Sequence, residues 1–266
     1  MLPGLIHARD EPVEVIVVDQ SAGMETAELL EELPWVRRVQ SDAGLSKGRN
    51  VGVEATSADV VVFTDDDAEF GVGWLARIRE LFGDPAVGVV CGPGRDSQGR
   101  LLPHRPAGVY RWPTRVFGLG HGFNLAFRRA ALDAAGPFDE ELGAGSPVPA
   151  GEDTDMIYRV MRAGWTAVCD DGIEVVHHSW RSEDEERLAH QAYGMGFTVQ
   201  TVKHTREGDA VALRIAAAEL LNHVWWTLVA LVRRDRRGLG YQAAWTQGVL
   251  SGLAISRRRP PGAARS

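Results

Sequence analysis

"VVVFTDDDAEF" (residues 60–70) runs without interruption through apolar residues and ends in three consecutive aspartates. A continuous β-branched run is the pattern of a strand buried on both faces, as in a parallel sheet. Three adjacent carboxylates repel one another, so the end of this strand needs something that offsets their charge. Working outward, "VEVIVV" (residues 13–18) is a second run of the same kind, and residues 36–40 and 87–91 supply further strands. Helical spacing fills the intervals at residues 24–33, 44–56 and 72–82. Strands alternating with helices predict a mostly parallel central sheet with right-handed crossovers, flanked by helices. Ligands of such sheets lie outside the carboxyl ends of the strands. Asp19 follows one strand at that end and Asp65, Asp66 and Asp67 follow another, so the two acidic positions are expected to be neighbours.

The chain has 266 residues, enough for one large domain with an appendage. Its net charge of -7 argues against a nucleic-acid binder held by general phosphate attraction. Cys91 and Cys169 are the only cysteines. Two isolated thiols make neither a disulfide framework nor a metal knuckle, which suits a reducing, cytoplasmic compartment. The opening "MLPGLIHARDEP" brings a proline and charges at once and does not read as a signal peptide.

Residues 92–120 are rich in Pro, Gly and Arg and lack periodicity, which predicts a long loop or flap. "GHGFNLAFRRAALDAAGPFDEELG" (residues 120–143) then predicts a short strand and a helix that stops at Gly136. "GEDTDMIYRVMRAGW" (residues 151–165) is a helix with Met156, Ile157, Val160 and Met161 as its apolar stripe and Gly164 as its stop. Strand-like runs follow at residues 165–169 and 173–177, and everything from residue 181 onward reads as helical.

Adjacent aspartates on a turn after a strand suit a hard divalent cation, Mg²⁺ or Mn²⁺, which offsets their repulsion. A solvated acidic turn is the plain alternative. "GLSKGRNVG" (residues 44–52) places Lys47 and Arg49 at a helix start, where backbone N–H groups also favour an anion. The acids of "GEDTD" are ordinary first-turn residues or a carboxylate available for proton transfer. Metal-binding acids, phosphate-facing cations and a separate carboxylate together outline transfer of a group from a diphosphate.

"EVIVVDQS", "GLSKGRNVGVEATSADVVVFTDDDAE", "GFNLAFRRAALDAAGPFDEELG" and "GEDTDMIYRVMRAGW" appear in an order and at separations that resemble the family 2 glycosyltransferases of GT-A fold. The resemblance covers most of residues 14–178. It implies an inverting, metal-dependent hexosyltransferase acting on a nucleoside-diphosphate sugar. Asp19 would contact the base, Lys47 and Arg49 the nucleotide or its phosphates, and Asp65 the ribose. Asp65 and Asp67 would form the two ends of a DxD motif, with Asp66 between them and Asp67 holding the metal. Asp153, beside Glu152, matches the general base. Gly122 and Asn124 match a segment lining the sugar and acceptor pocket. His178 falls where many relatives place a histidine near the diphosphate, with His177 as the competing choice. Relatives begin with an apolar strand and a full helix ahead of "EVIVVD". Here "LPGLIHARDEP" reads as the tail of that helix, so upstream coding sequence supplying the strand is expected.

Residues 1–180 therefore form the expected GT-A domain and residues 181–266 a helical region. Within the latter, residues 211–232 are apolar but interrupted by Arg214, Glu219, Asn222 and His223, which argues against a membrane span. Trp225, Trp226 and Trp245 lie near the arginine clusters at residues 233–237 and 257–259. That pattern suits helices lying on an anionic membrane at the inner face of the cell membrane, and an acceptor that is a lipid-linked or cell-envelope glycan. A helical cap or a dimer surface is the alternative. Two functional rivals stand beside transfer: a non-catalytic protein that keeps the fold, and a sugar nucleotidyltransferase, which needs a Gly-rich phosphate loop after its first strand that is not found here.

Overall fold

The computed structural model describes residues 8–9, 11–178 and 182–258. The helix tail expected at the amino terminus falls largely outside these residues, as does Arg259. The chain divides into two compact units, one of Met1–Phe138 with Asp153–Ser179, the other of Asp139–Glu152 with Trp180–Ser266.

The first unit is α/β. In chain order it contains β1 (Val15–Asp19), α1 (Glu25–Glu31), β2 (Val36–Gln40), α2 (Leu45–Glu54), β3 (Val60–Phe63), β4 (Ala68–Phe70), α3 (Trp74–Leu81) and β5 (Val87–Cys91). There follow β6 (Gly94–Asp96), β7 (Gly108–Tyr110), β8 (Leu125–Arg128), α4 (Arg129–Ala135), α5 (Glu152–Arg162), β9 (Thr166–Cys169) and β10 (Val175–His177). α5 begins at Glu152, at the junction of the two units.

Three sheets result. β1 and β2 pair in parallel, β4, β10 and β6 form a second sheet, and the largest has the order β3-β8-β5-β9-β7. The parallel character needs one refinement. β5 and β9 are parallel, but β8 inserts antiparallel between β3 and β5, and β7 adds antiparallel to β9. The long connection before β8 lets it enter from the opposite end, which a short crossover helix could not. β5 is buried throughout, whereas β1 and β3 are largely half-buried, because each stands at the edge of its sheet. Trp74 and Ile78 of α3 pack with Phe70, Val90, Ala126 and Val175 into one apolar cluster. Full burial of a Val or Phe side chain stabilises by roughly 1.5–3 kcal/mol.

Residues 92–120 are more structured than their composition predicts. They hold β6, β7 and a 3₁₀ turn at Pro113–Arg115. Three-residue strands are too short to leave a period in the sequence. Cys91 and Cys169 are buried register partners on β5 and β9, and the Cys91 thiol donates to the Leu119 carbonyl.

The second unit is built on α6 (Glu183–Arg206), α7 (Ala210–Arg233) and α8 (Arg236–Arg258). Ser182 and Glu185 close a capping box at the start of α6. α6 and α8 meet along a seam of small residues. Gly194 faces the Trp245 carbonyl, Gly248 the Gln191 carbonyl and Gly252 the Met195 carbonyl, each too closely to admit a Cβ. α7 is a continuous helix through its polar interruptions, long and apolar enough to cross a membrane by length and composition alone.

Candidate active site

β3 ends at Phe63, and the chain turns through Asp65, Asp66 and Asp67 before β4. β10 lies antiparallel to β4 with His177 opposite Ala68. That register brings the His177 Nε2 to 3.1 Å from Asp67 Oδ1 and 3.9 Å from Asp65 Oδ2. Asp65, Asp67 and His177 each offer one ligand atom, and the three atoms lie within 4.8 Å of one another. Two carboxylate oxygens and one imidazole nitrogen at that spacing fit a divalent cation. Burial raises the Asp65 pKa, Arg49 and His177 oppose the rise, and Asp67 and Asp66 add to it. Asp66 is exposed and is not one of the three.

His178, the residue expected near the diphosphate, is bound at 3.1 Å to Glu69 on the exposed surface. His177 takes the place beside the aspartates. Successive strand residues point to opposite faces, so only one of the two can face the turn.

Arg49 is buried on α2, with its guanidinium 5.8 Å from the Phe63 ring centre and 5.5 Å from that of Phe138. These rings hold it in place by cation–π attraction. Gly122 makes room for it: a Cβ there would lie 2.5 Å from Arg49 Nη2 and 3.7 Å from Asp153 Oδ2. Arg49 and Asp153 therefore both border the backbone at Gly122. Lys47 sits half-buried in the first turn of α2 and forms no ion pair among the described residues.

The three acids of α5 are placed very differently. Asp153 is half-buried, and its Oδ1 accepts from the Thr154 N–H at 2.6 Å and the Thr154 hydroxyl at 3.0 Å. Asp155 is fully buried and receives Arg159 Nε at 2.8 Å. Glu152 is buried in the second unit, where its side chain packs against Gly143.

Two expected donor residues are buried and have partners within the chain. Asp19 is 3% exposed, accepts from the Ser21 N–H and hydroxyl, and pairs with Arg38 at 2.6 Å. The Ser21 bonds, then Arg38, hold its pKa down to about 2. Asn124 is 1% exposed; its amide donates to the Pro93 and Ile173 carbonyls and accepts from the Trp74 indole. The donors and the acceptor of this side chain are thus engaged within the chain.

Sequence reasoning passed over His121. Its ring stacks on Phe123 at 5.0 Å, and Phe123 stacks on His177 at 4.4 Å. Burial pushes its pKa down to about 4, with Asp153 opposing, and its Nε2 is buried without a hydrogen-bond partner among the described residues. The one signal in the sequence is His121 two residues before Phe123, the spacing of side chains on one face of an extended segment.

The family model for glycosyl transferase family 2 matches residues 2–135, half of the chain. The chain belongs to glycosyl transferase family 2. This family 2 chain is 27% identical over 229 residues to the pre-mycofactocin glycosyltransferase of Mycobacterium tuberculosis, covering 80% of this chain and 45% of that protein. It thus spans less than half the length of that relative. The N-acetylglucosaminyl-diphospho-decaprenol L-rhamnosyltransferase of Mycobacterium tuberculosis is 25% identical over 235 residues, covering 72% of this chain and 75% of that protein. Among solved structures, the mannosyltransferase PcManGT from Pyrobaculum calidifontis, in complex with GDP-Man and Mn²⁺, superposes with a TM-score of 0.64 at 20% identity. The superposition covers 93% of this chain and 81% of that one. The family 2 chain has the GT-A fold, with a helical carboxyl-terminal region.

Proposed function

We propose that the protein moves a sugar from a nucleoside-diphosphate sugar to a hydroxyl of a glycan or lipid-linked acceptor, with inversion at the anomeric carbon. The observation that carries this reading is the convergence of Asp65, Asp67 and His177 within 4.8 Å, at the end of β3, in a family 2 chain. Those three residues would hold Mg²⁺ or Mn²⁺. A divalent ion held there would supply positive charge to offset that of the leaving diphosphate.

The chain's own groups do the rest. Arg49, fixed on Phe63 and Phe138, adds a positive charge that needs no reorganisation as the phosphate oxygen departs. The first turn of α2, with Lys47, offers backbone N–H groups and a cation to the phosphates. Asp153 Oδ2 accepts the proton of the acceptor hydroxyl while its oxygen bonds to the anomeric carbon and the bond to the diphosphate breaks. One displacement inverts the configuration. Asp155 is unsuited to this role because Arg159 holds it in the interior. The relative that is named for a decaprenol-linked substrate supports a lipid-linked acceptor, and with it a cytoplasmic site of action at the membrane.

A transfer and hydrolysis screen across nucleotide sugars, with Mn²⁺ and with Mg²⁺, tests the proposal. Release of one nucleoside diphosphate that depends on metal is the expected result. If titration calorimetry finds no nucleoside diphosphate bound with either metal, the chain is a non-catalytic member of its family.

A further inference from the structure

Helix α7 carries an apolar face that no described residue covers. Leu220, Leu221, Val224, Trp225, Leu228 and Val232 are all exposed, from 43% at Leu220 to 84% at Val232. At 3.6 residues per turn they fall within an arc of roughly 140°. The buried residues Ala212, Ile215, Ala216 and Ala230 lie on the opposite side. On that side too, His223 stacks on Trp245 of α8 at 4.1 Å and bonds Thr246 Oγ1 at 3.0 Å. One side of α7 is thus packed and the other is a continuous apolar surface, which soluble monomers rarely expose.

The charges around this face indicate what covers it. Arg233, Arg234 and Arg236 cluster at its carboxyl end beside Asp235, while Arg237 pairs with Glu186 at 2.9 Å, and Arg214 marks its amino end. Trp225 is exposed beside the leucines, and an indole ring favours the depth where headgroups meet acyl chains. Cations at both ends of an apolar, Trp-bearing face match anionic lipid headgroups above hydrocarbon.

α7 also meets the length and composition of a span, but its neighbours oppose that orientation. α8 runs beside α7 through the His223 contacts, and α6 is locked to α8 along the glycine seam. α6 carries Glu183, Asp184, Glu185, Glu186 and Lys203, and buries Gln200 and His204. Crossing would carry this polar helix into hydrocarbon together with α7. We propose that α7 docks in the plane of an anionic bilayer, its apolar face at the boundary of headgroups and acyl chains and its flanking arginines on lipid phosphates. The proposal concerns binding alone and stands or falls apart from the transfer chemistry.

Flotation of the full chain with vesicles of phosphatidylcholine, with and without about one third phosphatidylglycerol, tests it. Binding to the anionic vesicles, weakened by salt, is expected. Leu221→Glu with Leu228→Glu should lower the partition coefficient at least about tenfold with helicity and melting temperature unchanged, because both sites are exposed. Arg233→Glu with Arg236→Glu should remove the preference for anionic vesicles. Quenching of Trp fluorescence should be strongest with lipids brominated close to the headgroup, and Trp225→Phe should reduce it. Absence of vesicle binding, or binding untouched by the leucine variant, overturns the proposal. So does a dimer in solution that the leucine variant dissociates, which would make a second copy the occupant. Retention in membranes after alkaline carbonate extraction would show a span in place of in-plane docking.

Discussion

His177 Nε2 stands 3.1 Å from Asp67 Oδ1. The contact follows from the antiparallel register of β10 on β4, which sets His177 beside the acidic turn and leaves His178 to Glu69. Loss of even an outer partner of a metal ligand costs about 10–100-fold in affinity. His177→Ala should therefore weaken Mn²⁺ binding by at least that factor in titration calorimetry, while His178→Ala leaves it unchanged. Equal effects of the two would return His178 to the site.

Asp67→Ala should abolish metal-dependent binding of the nucleotide sugar. The turn is partly open, with 28% of the Asp67 side chain exposed, so the melting temperature should change little. Wild-type donor affinity in this variant, with metal present, would exclude the DxD reading.

Asp153→Asn keeps the shape and removes the proton acceptor. It should lower kcat by roughly 10²–10⁴-fold with donor affinity retained. Asp155→Asn should act on stability instead, because Arg159 keeps a buried cation without its full partner, a loss of about 3–5 kcal/mol when such a pair is broken. Chemical denaturation and turnover, measured on both variants, separate the two roles. Near-normal turnover in Asp153→Asn would move the base elsewhere.

His121 supplies a pH test. Its folded pKa of about 4 lies below the ordinary 6.5, so between those values the unfolded chain binds a proton that the folded chain refuses. Stability is therefore fully present above pH 6.5 and falls as the pH drops toward 4. The full shift is worth about 3 kcal/mol as an order of magnitude. His121→Gln should flatten the melting temperature across this range relative to wild type. An unchanged slope would mean that another group carries it.

Gly122→Ala should push Arg49 off its rings, since the added Cβ would meet Nη2 at 2.5 Å. Donor affinity should fall by at least about tenfold, or 1.4 kcal/mol. An affinity equal to wild type would show that Arg49 makes no contact with the donor.

Much of the fold could be read from apolar runs. β2 and β5 lie where their β-branched residues predict, and the stripe of Met156, Ile157, Val160 and Met161 on α5 is buried as its period requires. β6 and β7 could not be read, because a three-residue strand is defined by its partner and not by its own pattern. The same holds within the site. Asp65 and Asp67 announce themselves by adjacency, but His177 was separable from His178 only once a register fixed which one faces inward. Asp19 and Asn124 match the motif by position, yet Arg38 and the Pro93 carbonyl engage their side chains, and those contacts are remote in sequence.

Asn124 shows how unforgiving such a substitution site can be. Its amide joins three segments, the turn after β5, the start of α3 and the approach to β10, through two N–H bonds given and one oxygen bond received. An aspartate would fill the same volume. It would set a carboxylate against two carbonyl oxygens, with the Trp74 indole as its sole remaining donor. The smallest change of composition, a nitrogen for an oxygen, would thus loosen the three segments that this one side chain ties together.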